Sequence, residues 1–187
     1  DIMTYVFTKI SGLPENQIMG SGTILDTARL RYGLSEHFKV AQGNIHAYVF
    51  GEHGDTSFIP WTGAYISGLS TDEYYEEMKP LDKEAMLEYV QKSGGKVIAK
   101  KGATFYAVSA TVCQLVGLIL AASDSLATVS SMLHGEYGIE DVCLSTLTLV
   151  GPNGTQGKVQ MRMNKEEIAL LKKSADALKE VIAQIEL

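Results

Sequence analysis

The sequence predicts an α+β protein, in which an antiparallel sheet packs against helices. Three observations lead to this fold class. Apolar segments of strand length are grouped between segments of helical periodicity, without the regular alternation of a parallel α/β protein. The composition, 45% hydrophobic and 20% charged, is that of a globular protein. A chain of 187 residues can also bury roughly 70% of its unfolded surface. No internal repeat is visible, so we predict one domain over residues 1–187.

The first 38 residues carry two helical segments. Asp1–Ile10 is typical of the end of a helix, which Ser11–Pro14 would terminate because glycine and proline interrupt helices. Gln17–Ser21 is predicted to be a short strand or loop. Ile24–Phe38 has apolar residues at helical spacing, and Asp26 lies near its start, where the helix dipole favours a negative charge.

The middle of the chain is predicted to contain two strands and two helices. Ile45–Phe50 is predicted to be a strand that ends at Gly51, and Phe58–Ile66 is predicted to be its antiparallel neighbour. Asp82–Val97 is a charged amphipathic helix, and Thr104–Ser123 is an apolar helix without any charged residue. A membrane span is the alternative for the latter segment, but its hydroxyl and amide side chains favour a core helix.

The last third of the chain is predicted to contain three strands followed by a helix. The predicted strand bounds are Leu126–Leu133, Val142–Val150 and Lys158–Met163. Pro152-Asn153-Gly154 is typical of a turn and lies between the last two strands. Asn164 is a preferred capping residue at the start of the helix Lys165–Ile185. Apolar residues recur at helical spacing along that helix, at Ile168, Leu171, Ala175, Leu178 and Ile182.

The charge and the residue types exclude several classes of protein. The formal net charge of −6 argues against broad nucleic-acid binding, which needs a basic surface. The histidines lack paired ligand spacing, so no metal site is predicted. Two cysteines without such spacing fit a reduced, cytoplasmic setting. The chain begins with Asp1 rather than methionine and no signal segment is visible, so we expect a processed chain or a piece of a longer protein.

The segment Gly51–Ser57 is the densest polar cluster in the sequence. It follows a predicted strand, so a sheet would hold it while its side chains project into a cleft. His53, in this cluster, can exchange a proton near neutral pH. Its residue types are equally consistent with an ordinary surface turn.

Asp26 and Arg29 form a second cluster, because residues three apart on a helix lie on one face. A carboxylate held against an imidazole fixes its tautomer, and a guanidinium offers a forked ligand for a carboxylate. The alternative is an exposed ion pair of little energetic value, which the local sequence alone favours. Arg31 lies roughly 200° around the helix from Arg29, so its side chain faces a different surface.

Taken together, these segments resemble the C-terminal, substrate-binding half of bacterial NAD-dependent L-lactate dehydrogenases. The resemblance extends over essentially all 187 residues. It rests on the order and separation of four motifs, which are Gly20–Arg29, Gly51–Ser57, Lys101–Thr104 and Asn164–Ala175. By this resemblance His53 would be the catalytic acid–base, Asp26 its orienting partner and Arg29 the ligand of the substrate carboxylate. Thr104 would lie beside the substrate and help to set its size.

The resemblance also implies how NAD would meet this chain. Ser21 and Val108 would flank the nicotinamide, while the rest of the cofactor would be held by an N-terminal dinucleotide-binding half. That half carries a glycine fingerprint and a mobile loop with another catalytic arginine, and neither is present in this sequence. Residues 1–22 would be its tail. Since hydride transfer needs the cofactor held against the substrate, the chain alone is expected to be inactive.

A further part of the resemblance concerns regulation and assembly. Arg31 and His46 fall where allosteric bacterial lactate dehydrogenases bind fructose 1,6-bisphosphate between subunits. The resemblance implies a cytoplasmic homotetramer that acts in glycolysis and pyruvate fermentation. The alternative to an effector site is that Arg31 is an ordinary surface arginine and His46 an ordinary strand histidine.

Two other functions compete with lactate dehydrogenase. One is another 2-hydroxy-acid dehydrogenase, acting on malate or 2-hydroxyisocaproate, since the main specificity residue would lie in the absent loop. Glu52 and Thr104 favour lactate within this group. The other is a non-catalytic oligomerisation domain without a cofactor.

Overall fold

The structure is a computed structural model, which describes residues 1–74, 80–121 and 123–186. Within these residues the chain forms five α-helices, all at the predicted places. Their bounds are α1 Ile2–Ile10, α2 Ile24–Phe38, α3 Lys83–Lys101, α4 Tyr106–Leu120 and α5 Lys165–Ile182. The bounds of α1 and α2 agree with the prediction to within one residue, because the signals that set them are local.

The other three helices differ from prediction at their ends. The Asp82 carboxylate accepts a hydrogen bond from the Ala85 N–H at 2.9 Å and so caps α3. This helix runs four residues beyond the predicted Val97, to a left-handed Gly102 at φ 77°. Asn164 caps α5 through a reciprocal capping box with Glu167, as its residue type predicted. Helix α5 ends at Ile182 instead of the predicted Ile185. Helix α4 begins two residues after the predicted Thr104 and ends at Leu120 instead of Ser123. Residue 122, which was predicted to belong to α4, lies outside the described residues.

Eight short strands pair within the described residues, and every pairing is antiparallel. The strands are β1 Ile45–His46, β2 Tyr65–Ile66, β3 Leu69–Ser70, β4 Ser125–Ala127, β5 Ser130–His134, β6 Glu140–Ser145, β7 Thr148–Gly151 and β8 Gly154–Lys158. They form three small sheets with strand orders β1-β2-β3, β4-β7-β8 and β5-β6. The α+β class with antiparallel sheets and packed helices is therefore confirmed.

The predicted strand bounds were wrong wherever one run of apolar residues contributes strands to two different sheets. The run 126–133 divides into β4 and β5, and the run 142–150 divides into β6 and β7. In the run 45–50 only β1 and a single Phe50–Phe58 bridge are paired, and the run 58–66 contains a 3₁₀ turn at Trp61–Gly63. The predicted strand Lys158–Met163 is also wrong except at Lys158, because β8 begins at Gly154, the last residue of the predicted Pro152-Asn153-Gly154 turn, and pairs with β7.

Helix α4 departs from the expected core helix on most of its surface. Thr111 and Leu115 are buried, whereas Tyr106, Val116 and Leu120 are exposed. The helix packs with one face against α2 and β7, where Leu118 and Ile119 are half-buried, and this leaves the apolar side chains of its opposite face exposed. Within the described residues no helix is long and apolar enough to cross a membrane.

Two hydrophobic clusters position the polar segments singled out above. Leu30 and Leu34 of α2 pack with Val49 in the first cluster. Phe50 packs with Leu171 of α5 in the second cluster. Neighbouring residues of one chain segment therefore enter different cores, and this anchors the segment directly before the loop Gly51–Ser57.

Candidate active site

Asp26 and Arg29 lie in the first two turns of α2 and form a largely buried pair. Arg29 Nη1 donates to Asp26 Oδ1 at 2.9 Å. The Asp26 side chain is 7% exposed and that of Arg29 is 17% exposed. The alternative of an exposed surface ion pair is therefore wrong. A carboxylate at this depth needs partners for both of its oxygens.

The second oxygen of Asp26 reaches the loop Gly51–Ser57. His53 Nδ1 lies 2.6 Å from Asp26 Oδ2, so one carboxylate joins the imidazole to the guanidinium. The His53 side chain is 58% exposed, which leaves its outer nitrogen Nε2 as the one that a small molecule can meet. The loop is therefore more than a surface turn, because it brings a histidine to a buried carboxylate 27 positions away.

The electrostatics of this cluster favour the protonated imidazole. The hydrogen bond with Asp26 is the largest cause that raises the pKa of His53 above its ordinary value. Partial burial of the ring and the positive charge of Arg29 lower the pKa, but they do not outweigh Asp26. With Nδ1–H donating to Asp26, Nε2 can give up or take a proton.

Two threonines at the start of α2, which sequence reasoning missed, fix the distance between the helix and the loop; Thr23 directly precedes the helix and Thr27 lies in its first turn. Thr23 Oγ1 donates to the Val49 carbonyl at 2.5 Å, and Thr27 Oγ1 accepts from the Val49 N–H at 3.0 Å. Both threonines are buried. Since Val49 lies two residues before Gly51, these bonds set where the loop starts relative to Asp26. The sequence did contain a signal for these threonines. Their spacing of four residues places both on the helix face that carries the buried leucines.

The loop itself is held by residues from distant parts of the chain. The His53 N–H donates to Asp1 Oδ2 at 2.7 Å, and Gln91 Nε2 of α3 donates to the Ser57 carbonyl at 2.9 Å. Ser174 of α5 accepts from the Glu52 N–H at 2.7 Å. No local pattern singles out Asp1 or Gln91. Ser174, however, interrupts an apolar stripe of α5, and a polar residue in such a stripe is a signal for a specific contact.

Gly51 occupies the first position of the loop for two physical reasons. Its φ of 95° lies in the region that favours glycine. A Cβ at this position would lie 2.8 Å from Ser174 Oγ, so the close approach of α5 also requires glycine. Gly51 and Ser145 exchange backbone hydrogen bonds of 3.0 and 3.1 Å, which tie the start of the loop to β6.

The other residues predicted to flank a substrate or cofactor, which are Thr104, Ser21 and Val108, form no hydrogen bond or ion pair with this centre in the described part of the chain. Thr104 is half-buried in the link between α3 and α4. Ser21 is half-buried in the turn before α2, and its carbonyl accepts from the Ile24 N–H at 3.2 Å. Val108 lies in the first turn of α4 and is 40% exposed. Within the described part of the chain, none of the three forms a hydrogen bond to Asp26, Arg29 or His53.

Arg31 lies on another surface of α2 than Arg29, as the helical geometry predicted. Its Nε donates to the Ala47 carbonyl at 3.1 Å, and its guanidinium lies 5.0 Å from the centre of the Tyr48 ring. Arg31 lines a cavity of about 370 Å³ between α2 and α4. His46, an exposed residue of β1, is adjacent in sequence to the Ala47 that Arg31 contacts, but it does not line the cavity.

The histidines and cysteines show no arrangement for a metal in the described ranges, where no cluster of three or more suitable side chains occurs. Cys113 is exposed, Cys143 is buried, and neither is in a disulfide. Burial raises the pKa of the Cys143 thiol to about 11, so it is an unreactive core residue.

The geometry of Asp26, Arg29 and His53 supports one kind of chemistry. The buried carboxylate holds a protonatable imidazole on one side and a guanidinium on the other. The imidazole can exchange a proton with a hydroxyl or carbonyl group, and the guanidinium can bind a carboxylate. A small molecule with both groups, such as a 2-hydroxy acid, fits these two functions.

The chain matches the family model described as lactate/malate dehydrogenase, alpha/beta C-terminal domain, over residues 23–186. It is 46% identical to an L-lactate dehydrogenase of Acetivibrio thermocellus, with 100% of this chain and 60% of that protein covered. L-lactate dehydrogenase 1 of Clostridium acetobutylicum is 43% identical, with 99% of this chain and 60% of that protein covered. A crystal structure of the minor L-lactate dehydrogenase from Enterococcus mundtii, in the ligands-bound form, is 30% identical with a TM-score of 0.94. This structural match covers 100% of this chain and 60% of the Enterococcus mundtii chain. The chain therefore spans about 60% of the length of these three relatives.

Proposed function

The chain belongs to the lactate/malate dehydrogenase family, and we propose that it is the substrate-binding and catalytic half of an NAD-dependent L-lactate dehydrogenase. The observation that carries this proposal is the Asp26 carboxylate, which contacts both His53 and Arg29. The names of the relatives support lactate and pyruvate as the substrates, because they are L-lactate dehydrogenases.

Each of these side chains has one part in the proposed reaction. Arg29 binds the substrate carboxylate through its forked N–H groups. In lactate oxidation His53 Nε2 takes the hydroxyl proton, and in pyruvate reduction it returns that proton to the carbonyl oxygen. Asp26 keeps the imidazole in one tautomer and stabilises its protonated form. Thr104, between α3 and α4, bounds the space left for the substrate methyl group.

The residues present fit the nicotinamide end of NAD but not its phosphates. NAD, when bound, accepts the hydride from lactate or supplies it to pyruvate. Ser21 offers polar groups and Val108 an exposed apolar surface, as a nicotinamide ring requires. The glycine turn before α2 is filled by protein, since a Cβ at Gly22 would lie 2.6 Å from the Ser130 nitrogen. The pyrophosphate therefore needs an N-terminal half, and the family match from residue 23 onward supports residues 1–22 as the tail of that half.

The proposal is tested by comparing this chain alone with the full-length enzyme, by which we mean the chain joined to its N-terminal dinucleotide-binding half. The full-length enzyme is expected to oxidise NADH with pyruvate, and the chain alone is not, because hydride transfer needs both partners in one site. The measurement is NADH absorbance against pyruvate concentration. Oxaloacetate and 2-oxoisocaproate, assayed in parallel, distinguish the other 2-hydroxy-acid dehydrogenases.

Two results would contradict the proposal. Saturable NADH oxidation by the chain alone would show that the second half is not needed. A full-length protein that binds NADH but reduces none of the three oxo acids would favour the non-catalytic assembly domain.

We also propose that Arg31 and His46 form part of an effector site for fructose 1,6-bisphosphate in a cytoplasmic homotetramer. Arg31 Nε donates to the carbonyl of Ala47, the residue after His46, which places Arg31 next to the chain segment that carries His46. Fructose 1,6-bisphosphate is then expected to lower the half-saturating pyruvate concentration, by roughly 5- to 150-fold. The effect should be weaker in Arg31→Gln, which removes the permanent charge of the proposed site.

The measurement is pyruvate saturation and oligomer size in the full-length enzyme, with and without effector. Arg162→Gln is a control that removes an arginine outside this surface. If neither saturation nor oligomer size responds to the effector, Arg31 and His46 are ordinary surface residues.

A further inference from the structure

The hydroxyl of Ser174 contacts both ends of the loop that carries His53. Ser174 Oγ accepts from the Glu52 N–H at 2.7 Å and lies 2.9 Å from Thr56 Oγ1. Ser174 is completely buried in the middle of α5, more than 100 positions from either partner. Glu52 directly precedes His53, and Thr56 lies three residues after it. One side chain thus spans the loop at the histidine.

The position of Ser174 on α5 indicates that packing alone does not require a serine there. Its neighbours on the same face, Leu171, Ala175 and Leu178, are buried and apolar. Alanine would fill nearly the same space and form helix more readily. A buried hydroxyl at this position is stable only because the loop supplies hydrogen-bond partners. The absence of a side chain at Gly51 makes room for this approach.

We propose that Ser174 is a positioning residue for the acid–base reaction, which holds His53 against Asp26 by fixing the loop on both sides of the histidine. The proposal rests on the function proposed above. Ser174 itself touches neither substrate nor cofactor in this role. Without its hydroxyl, the Glu52 N–H loses its acceptor and the loop loses its contact with α5, so the imidazole can move away from Asp26.

The charged groups around His53 determine what such movement would do. Asp26 approaches the ring from α2 and raises the pKa of His53, while partial burial of the ring and the charge of Arg29, also from α2, lower it. The Asp1 carboxylate contacts the His53 backbone N–H instead of the ring. Since the hydrogen bond with Asp26 is the largest of these effects, a looser loop lowers the pKa of His53.

The test is Ser174→Ala in the full-length enzyme, followed by three measurements. Amide hydrogen exchange at Glu52 should become about tenfold faster or more, because the amide loses its acceptor. NMR titration of the His53 ring should give a lower pKa than in the unchanged protein. Turnover of pyruvate should fall by roughly tenfold or more with a smaller change in KM, since a displaced acid misses the reacting atom while Arg29 still binds the carboxylate.

Two further variants separate positioning from general stability. Ala175→Gly changes the next residue of the same buried helix face and weakens α5, but it removes no contact with the loop. It is expected to lower Tm while leaving the His53 pKa unchanged. Thr56→Val removes only the second partner of Ser174, and it should shift the His53 pKa in the same direction by a smaller amount.

The outcomes distinguish this proposal from the function on which it rests. An unchanged His53 pKa and unchanged Glu52 exchange in Ser174→Ala would overturn the positioning role, whatever happens to activity. If Ser174→Ala does not fold, Thr56→Val decides by the His53 pKa alone, because its Glu52 N–H keeps the Ser174 acceptor, and an unchanged His53 pKa there overturns the proposal. If both NMR effects appear in a protein that does not reduce pyruvate, Ser174 positions His53 but the proposed reaction is wrong.

Discussion

Replacing His53 with asparagine is expected to lower the turnover of pyruvate by on the order of 10² to 10⁴ in the full-length enzyme. Asparagine can still form a hydrogen bond to Asp26, but it cannot exchange a proton with the substrate. NADH binding is expected to stay within a few-fold, because in the proposed enzyme the dinucleotide-binding half would hold most of the cofactor. The measurements are kcat at saturating pyruvate and NADH affinity by fluorescence.

Arg29→Lys is the matched comparison for His53→Asn, because it changes the neighbouring member of the same cluster. Lysine keeps the positive charge but loses the fork that binds a carboxylate at two points. It should therefore raise KM for pyruvate more than it lowers kcat. If His53→Asn kept turnover within a few-fold of the unchanged enzyme, the acid–base role would belong to another group.

Replacing Asp26 with asparagine is expected to have the second largest effect, a loss of turnover of roughly 10²-fold or more. Asp26 is the shared partner of His53 and Arg29, and its side chain is almost fully buried. Asparagine removes the charge that stabilises the imidazolium and leaves Arg29 with a weaker partner. The proton donor is then both poorly oriented and less often protonated.

The pH dependence gives the Asp26 variant a distinctive signature. In the proposed reaction pyruvate reduction would need the protonated His53, so its rate is expected to fall as pH rises through the pKa of His53. Because Asp26 raises that pKa, reduction in the unchanged enzyme should persist above the ordinary histidine value of about 6.5. Lactate oxidation needs the neutral ring and should rise through the same pKa. In Asp26→Asn both transitions should move to lower pH, as kcat/KM profiles of the two directions would show.

A second carboxylate provides the control for this shift. Asp141 is an exposed residue of β6 that pairs with Lys9 at 2.7 Å and does not contact the His53 loop. Asp141→Asn also removes one charge and one ion pair, but it should leave both pH profiles in place. An unshifted profile in Asp26→Asn would mean that Asp26 does not control the protonation of His53.

The positions of the helices and the identity of the candidate site residues could be predicted from the sequence alone. Helix α2 was predicted with its observed bounds, and α5 was predicted from its cap at Asn164, because periodicity and capping depend on neighbouring residues. The loop Gly51–Ser57 and the Asp26–Arg29 spacing were also visible without a structure. The order of these motifs was sufficient for a resemblance to the family that the comparisons then showed.

The strand bounds and the state of the charged pair were decided only by the tertiary structure. The apolar run 142–150 divides between two sheets, which depends on which strands β6 and β7 meet. Asp26 and Arg29 have the spacing of an exposed ion pair, and they are buried because other elements cover them. Ser174 meets Glu52 across 122 positions, and although its place in an apolar stripe marks Ser174 as unusual, no local pattern identifies Glu52 as its partner. Its energy depends on burial and on a partner in place, and both arise only when α5 packs against the loop.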